Sequence, residues 1–146
     1  MRKKEKVIIG WREWVKLPQL GIKNIKAKID TGARTSSLHA MDIEFYKRGK
    51  KEFVKFRVYP VQRSSKKSIK THAEVLEYRK VKSSNGQTEK RPVILTEVEL
   101  MGITWPIEVT LTNRDEMGFR MLLGRESFRN KMLIDAGNSY YGLKKK

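Results

Sequence analysis

The sequence predicts an all-β domain with one short helix near the carboxyl end, and three observations carry that expectation. Apolar and polar residues alternate in short runs such as Ile25-Lys26-Ala27-Lys28-Ile29, the period of a strand with one buried face. Turn formers punctuate those runs, most strongly Asn85-Gly86, the pair that suits a tight hairpin. One stretch permits a helix, Glu126-Ser127-Phe128-Arg129-Asn130-Lys131.

In chain order, Val7 to Val15 reads as a strand containing Gly10. Leu17-Pro18-Gln19-Leu20-Gly21 is a turn. Ile22 to Ile29 is the following strand. Met41 to Tyr46 and Phe53 to Tyr59 form a hairpin around Arg48-Gly49-Lys50, the second rich in β-branched and aromatic residues. Pro60 to Lys67 is a polar, basic loop. Ala73 to Lys82 and Pro92 to Met101 are strands joined through Ser83-Ser84-Asn85-Gly86-Gln87. Trp105 to Thr112 and Arg120 to Leu123 are further strands, and Met132-Leu133-Ile134-Asp135 closes the sheet before Ala136-Gly137-Asn138.

At 146 residues, 38% of them hydrophobic, residues 1–146 are expected to make a single domain with basic tails at about 1–6 and 143–146. The chain has no cysteine, which excludes a disulfide frame and a thiol nucleophile. Val7-Ile8-Ile9 is too short an apolar run for a signal peptide or a membrane span, so a cytoplasmic protein without a membrane partner is expected. Lys and Arg number 33 against 16 Asp and Glu, a net charge of +17. Basic runs recur at Lys47 to Lys51, Arg63 to Lys70, Lys80 to Arg91 and Lys144 to Lys146. Such a field draws polyanions. Composition alone points first to nucleic acid and second to an acidic polypeptide, with most of the lysines individually solvated.

The chemistry sits at Asp30-Thr31-Gly32-Ala33, directly after the alternating strand. The Asp supplies a proton-transfer group, the Thr hydroxyl can bond backbone across a tight junction, and Gly lets backbone pass close to the carboxylate. A carboxylate dyad needs two Asp residues sharing one proton. The motif occurs once in this chain, so a second copy must bring the second Asp. A second element supports this reading: the apolar strand Arg120-Met121-Leu122-Leu123 runs into Gly124-Arg125 and the helix-permitting segment.

On these residues the chain resembles the retropepsin-like aspartic proteases, the single-motif dimeric relatives of pepsin. Leu17 to Ala33 is similar to that family's opening strand, turn, next strand and catalytic turn, and Val93 to Phe128 to its later half. Ala27 to Ala40, Asn113-Arg114 and Met121 to Arg125 resemble more narrowly a bacterial and archaeal subfamily, RimB-like. It was once labelled an ATP-dependent zinc protease and is associated with ATP-grasp ligases that add glutamates to a ribosomal protein. The resemblance implies a closed retropepsin-like β-barrel and a homodimer. Asp30, Thr31 and Gly32 would form the catalytic turn, with Ala33, Leu123, Gly124 and Arg125 supporting it. The hairpin at Asn85 and Gly86 falls where the family has its flap, so Asn85, Gly86, Arg79 and Lys82 would grip substrate, and Lys80, Lys90 and Arg91 would add to a positively charged flap. The retroviral pattern has an acid after the Ala, whereas this chain has Arg34. A guanidinium there recognises carboxylates bidentately, so Arg34 is expected to select Glu or Asp side chains. Without that acid, Arg125 needs another partner, Glu126 and Asp135 being nearest in sequence.

No cofactor is expected. The chain has two histidines, His39 and His72, and neither a His-Glu-x-x-His helix nor a phosphate-binding Gly-x-x-x-x-Gly-Lys run. His39 with Asp42 and Asp30 could meet a metal, but a histidine ending a Ser-Ser-Leu-His strand is more often hydrogen-bonded structure. Trp11, Trp14 and Trp105 could stack on nucleobases, although aromatics in strands are more often core. Three readings stand: a metal-independent aspartic peptidase acting on acidic or glutamate-tailed protein, a basic protein on ribosomal RNA, and a non-catalytic partner of a glutamate ligase.

Overall fold

A computed structural model describes residues 6–60, 68–82, 86–113 and 118–143. Among the described residues, eleven strands and one short α-helix follow in the order β1 (Val7–Gly10), β2 (Arg12–Leu17), β3 (Ile22–Asp30), β4 (Ser36–His39), β5 (Met41–Arg48), β6 (Lys51–Val58), β7 (Ile69–Lys82), β8 (Thr88–Leu100), β9 (Ile103–Thr112), β10 (Met121–Gly124), α1 (Arg125–Phe128) and β11 (Met132–Asp135). The expected all-β character with a single short helix is therefore present. The predicted basic loop lies largely outside the described residues, as do Asn85, Arg114 and the last three lysines.

Alternation explains the strands. In β3, Ile25, Ala27 and Ile29 are buried while the residues between them are not, and Val15 and Leu17 of β2 pack on the same core. Two turns need left-handed backbone. Gly49 (φ 65°) closes β5 on β6, and Met101 and Gly102 (φ 56° and 77°) close β8 on β9, where Leu100 pairs with Ile103. The hairpin strands β7 and β8 each begin about four residues before their predicted starts, because β7 pairs twice: Ile69 to Glu74 with β6, and Val75 to Lys82 with β8.

Nine strands form one sheet in the order β2-β3-β10-β4-β9-β8-β7-β6-β5, and a Lys16–Glu99 pairing brings β8 back to β2. The strands from β2 round to β8 thus make a circuit, and the hairpin β5-β6 with the near half of β7 extends from it. Inside lie Val15, Leu17, Ile25, Ala27, Leu38, Ile94, Val98, Val109, Leu111, Met121 and Leu123 in one continuous apolar cluster.

Two expectations are corrected. The first strand is not continuous to Val15: the chain breaks at Trp11, whose N–H donates to the Asn138 carbonyl at 2.9 Å. Gly10 permits that crossing, since a Cβ there would lie 2.4 Å from the Asn138 oxygen. Nor does β11 close the large sheet. It pairs in parallel with β1 as a separate two-stranded sheet, Ile8 opposite Leu133.

Glu13 anchors this end of the molecule. It is fully buried on β2, and its carboxylate accepts N–H bonds from Gly10 (2.7 Å), Tyr141 (2.8 Å) and Gly142 (3.1 Å). A buried carboxylate is tolerated where backbone donors surround it. Glu13→Ala is expected to lower unfolding stability by about 3 kcal/mol by orphaning those donors, and Glu13→Gln by less. Urea titration followed by Trp fluorescence checks both; equal stability of wild type and Glu13→Ala would remove Glu13 from this role.

Candidate active site

β3 and β10 run parallel with Asp30 opposite Gly124, so the Asp-Thr-Gly-Ala turn leaves the sheet where the second signature strand ends. Asp30 is half-buried. One of its carboxylate oxygens accepts the Gly32 N–H at 3.0 Å, and its carbonyl accepts the Ala33 N–H at 3.2 Å. An Asx-type turn thus fixes the carboxylate by its own loop. Gly124 is wedged against that loop, and a Cβ there would meet the Thr35 carbonyl carbon at 2.6 Å and the Arg34 carbonyl carbon at 2.8 Å. The two signature segments are then stitched together: Arg125 N–H to the Ala33 carbonyl (2.7 Å), Glu126 N–H to the Arg34 carbonyl (3.2 Å), and Gly124 N–H to the Ser36 hydroxyl (3.1 Å). The Ser127 hydroxyl donates back to the Gly124 carbonyl at 2.6 Å, and the indole of Trp105 donates to the Ser127 carbonyl at 2.7 Å, tying α1 to β9. Trp105 is thereby a core residue.

The turn opens on a cleft of about 1360 Å³ that Asp30, Gly32, Ala33 and Arg34 share with the near end of the β7–β8 hairpin, including Arg79, Lys80 and Lys82. Leu95, Pro106, Ile107 and Leu122 supply its apolar wall. Asp30, Arg34, Arg79 and Lys82, named from the sequence, are therefore brought together. Thr31 is exposed beside the cleft, Leu123 belongs to the core, and Gly86 is an exposed turn residue (φ 87°) at the hairpin end.

Three residues behave differently from expectation. Arg125 does not use Glu126 or Asp135. Its guanidinium reaches the Thr31 and Gly32 carbonyls at 3.4 Å each, while Glu126 takes Arg129 and Asp135 takes the Gly137 N–H and the Asn138 amide. Arg125 therefore supports the Asp30 turn through that turn's own carbonyls. Arg79 is neutralised locally by Glu77 and by Glu108 (2.9 Å), and these carboxylates, Glu77 foremost, raise its pKa against the opposing effect of burial. Arg91, expected on a charged flap, is 1% exposed. Its Nε donates to Glu89 at 2.7 Å and a terminal nitrogen donates to the Ser37 hydroxyl at 3.2 Å, with Ser37 in turn 3.1 Å from the Thr110 hydroxyl.

Sequence reasoning missed this last cluster. Its signal is visible in retrospect: Arg91 enters the continuous apolar run Pro92-Val93-Ile94-Leu95 with an acid, Glu89, two residues earlier on the same strand face. An arginine so placed must be buried with its counter-charge.

His39 is structural, as the sequence favoured. It is buried, Nδ1 accepts from Arg120 at 3.0 Å, and Nε2 stands 3.2 Å from the Asn113 carbonyl. Because a guanidinium only donates, Nδ1 must be the acceptor, which leaves Nε2–H to donate to that carbonyl. Among the described residues no three His, Asp or Glu side chains gather as a metal site. None of the described helices is long and apolar enough to cross a membrane.

A strand ending in Asp-Thr-Gly-Ala, wedged against an apolar-Gly-Arg strand that leads into a short helix, is the arrangement that marks the retropepsin-like class. Within that class the chain belongs to the RimB-like family: residues 8–145 match the family described as retropepsin-like aspartic endopeptidase RimB. The chain is also similar to longer proteins named "Probable alpha-L-glutamate ligase". The one from Shewanella pealeana is 49% identical over 135 residues, covering 92% of this chain and 30% of the relative. The one from Parasynechococcus marenigrum is 46% identical over 135 residues, covering 92% of this chain and 29% of the relative. The chain thus spans about 30% of the length of these curated relatives. A solved structure of a Legionella pneumophila protein of unknown function has the same fold, with a TM-score of 0.77 at 28% identity over 94% of this chain and 99% of that one.

Proposed function

We propose that this protein is a homodimeric aspartic endopeptidase that hydrolyses peptide bonds in acidic, glutamate-tailed protein. The observation that carries this reading is the Asp30 turn itself, fixed by its own loop, wedged by Gly124 and open to a cleft whose lining includes Arg34, Lys80 and Lys82. The six-strand circuit serves as the closed barrel of the class. Two copies meet so that their Asp30 carboxylates share one proton. One carboxylate deprotonates a water as it attacks the scissile carbonyl. The other, protonated, hydrogen-bonds the forming oxyanion and then delivers its proton to the leaving amine. The apparent pKa values belong to the pair. Thr31, exposed at the tip, braces one turn against the other, and Arg34 and Lys82 attract carboxylates of the substrate.

Support for a second copy comes from the small sheet. Ile8 and Leu133 are register partners there, 50% and 52% exposed, so an apolar pair stands open to solvent on the small sheet. Ile8→Lys combined with Leu133→Lys is expected to give a monomer by sedimentation velocity with hydrolysis reduced at least tenfold; a fully active monomer would remove the dimer.

The names of the relatives favour a working association with a glutamate ligase, in which this chain trims what the ligase adds, in the cytoplasm. A non-catalytic role beside such a ligase, or on ribosomal RNA, is the second reading. Incubation with a peptide carrying a glutamate tail, read by mass spectrometry, decides between them: stepwise or internal loss of the tail is expected, and an intact peptide after prolonged incubation favours the non-catalytic role. Arg34→Glu is expected to slow cleavage of that peptide about tenfold while sparing a neutral one, through charge repulsion. Unchanged rates on both would take Arg34 out of specificity.

A further inference from the structure

The register of the large sheet places a cationic row beside the cleft. Cross-strand partners share a face, as do residues two apart on one strand. Ser37 pairs with Leu122, and both line the cleft. Leu122 pairs with Lys28, and Lys28 with Arg12. Lys26 lies two residues before Lys28 and pairs with Trp14. The opposite face of these strands carries Glu13, Val15, Ile25 and Ala27, all buried. Arg12, Trp14, Lys26 and Lys28 therefore lie on the cleft side of the sheet, in a row that begins two residues before Asp30.

Aromatic rings hold two cations of that row, Arg12 and Lys26. The Arg12 guanidinium lies 4.5 Å from the Trp11 ring centre and 5.0 Å from that of Tyr140. The Lys26 ammonium lies 5.7 Å from the Trp14 ring and 6.0 Å from the Tyr140 ring, and those two rings stack at 6.2 Å. Cation–π contacts restrain long side chains that otherwise lose rotamer freedom when they capture a ligand.

We propose that this face of β2 and β3 is an exosite for an acidic polypeptide, holding the part of an extended chain that runs out of the cleft. The exosite rests on the peptidase reading above for its cleft and names the feature of the substrate that it recognises. Lys26 and Lys28 are spaced by two residues of a strand, about 6.7 Å. Alternate residues of an extended peptide repeat at the same interval, so the two ammonium groups meet successive carboxylates along one edge of a glutamate tract. Nucleic acid fits less well. Base stacking needs open ring faces, and here the rings carry a cation or a neighbouring ring.

The test is binding, with Asp30→Asn as the background so that hydrolysis plays no part. A fluorescein-labelled decaglutamate peptide is titrated by anisotropy against Asp30→Asn alone, with Lys26→Glu/Lys28→Glu added, and with Lys47→Glu/Lys50→Glu added. The last pair makes the same change in net charge on the exposed β5–β6 hairpin, at the opposite end of the strand order. About a tenfold loss of affinity is expected for the first pair and less than twofold for the second. Equal losses would assign the binding to bulk charge and overturn the exosite, as would a uridine decanucleotide that binds more tightly with the same dependence on Lys26 and Lys28. Lys26→Gln/Lys28→Gln, expected to lose about threefold, carries the comparison if thermal melts show the charge-reversed pair unfolded. Failure of the wild type to cleave any glutamate-tailed peptide would sink the peptidase reading and leave this binding result standing.

Discussion

Asp30→Asn is expected to reduce hydrolysis of a glutamate-tailed peptide by roughly 10⁴-fold while leaving dimerisation and thermal stability nearly unchanged. The size follows from what the substitution removes. An amide neither takes a proton from water nor carries one to a leaving amine, so both halves of the proposed acid–base cycle would fail in both subunits of the proposed dimer at once. The small structural effect follows from what it leaves. The Asn carbonyl oxygen still accepts the Gly32 N–H, now at 3.0 Å from the carboxylate, so the turn keeps its internal bond. Single-turnover cleavage read by mass spectrometry, beside sedimentation velocity, separates the two effects. Retained turnover in Asp30→Asn would refute Asp30 as the acid–base residue, and loss of the dimer together with loss of turnover would assign it a structural role instead.

What was legible in the sequence is what depends on short-range pattern. Alternation located β3, because Ile25, Ala27 and Ile29 had to face one way, and a run of four residues ending in Gly-Arg located β10. Their adjacency, by contrast, comes from a parallel register that no local signal encodes: Asp30 meets Gly124 across 94 residues of chain. The partner of Arg125 was misjudged for the same reason. Nearness in sequence suggested Glu126 and Asp135, but the strand pairing aims Arg125 at the carbonyls of residues 31 and 32. Arg91 shows a different limit. A basic residue beside a hairpin reads as surface until its acid two positions away and the apolar run that follows are weighed together. The break at Gly10 was hidden because the crossing segment that requires a bare Cα there, around Asn138, lies at the other end of the chain.

Gly124→Ala tests that long-range wedge directly, and its effect on the site is expected to exceed its effect on the fold. The new Cβ would fall 2.6 Å from the carbonyl carbon and 2.7 Å from the carbonyl oxygen of Thr35, both backbone atoms that no rotamer change can withdraw. The strain at Gly124 is purely one of space: the residue has extended backbone (φ −79°, ψ 163°), which alanine adopts freely. Relief therefore requires either the loop 31–35 or β10 to move by several tenths of an ångström. β10 is held on both sides by β3 and β4, with Met121 and Leu123 buried in the core, whereas Thr31, Gly32 and Arg34 are exposed. The loop yields first, and the Asp30 carboxylate is bonded to it through the Gly32 N–H. Overpacking of this kind costs about 1–3 kcal/mol of stability, but in the proposed dimer a displaced carboxylate would leave hydrogen-bond reach of its counterpart, and loss of alignment near 1 Å costs roughly 100-fold in rate. The expected outcome is a folded Gly124→Ala protein, melting somewhat lower, with turnover reduced at least 100-fold. Wild-type turnover in a variant that melts several degrees lower would show that β10 gives way instead, and that the catalytic turn is held by its own Asp30–Gly32 bond and not by the strand behind it.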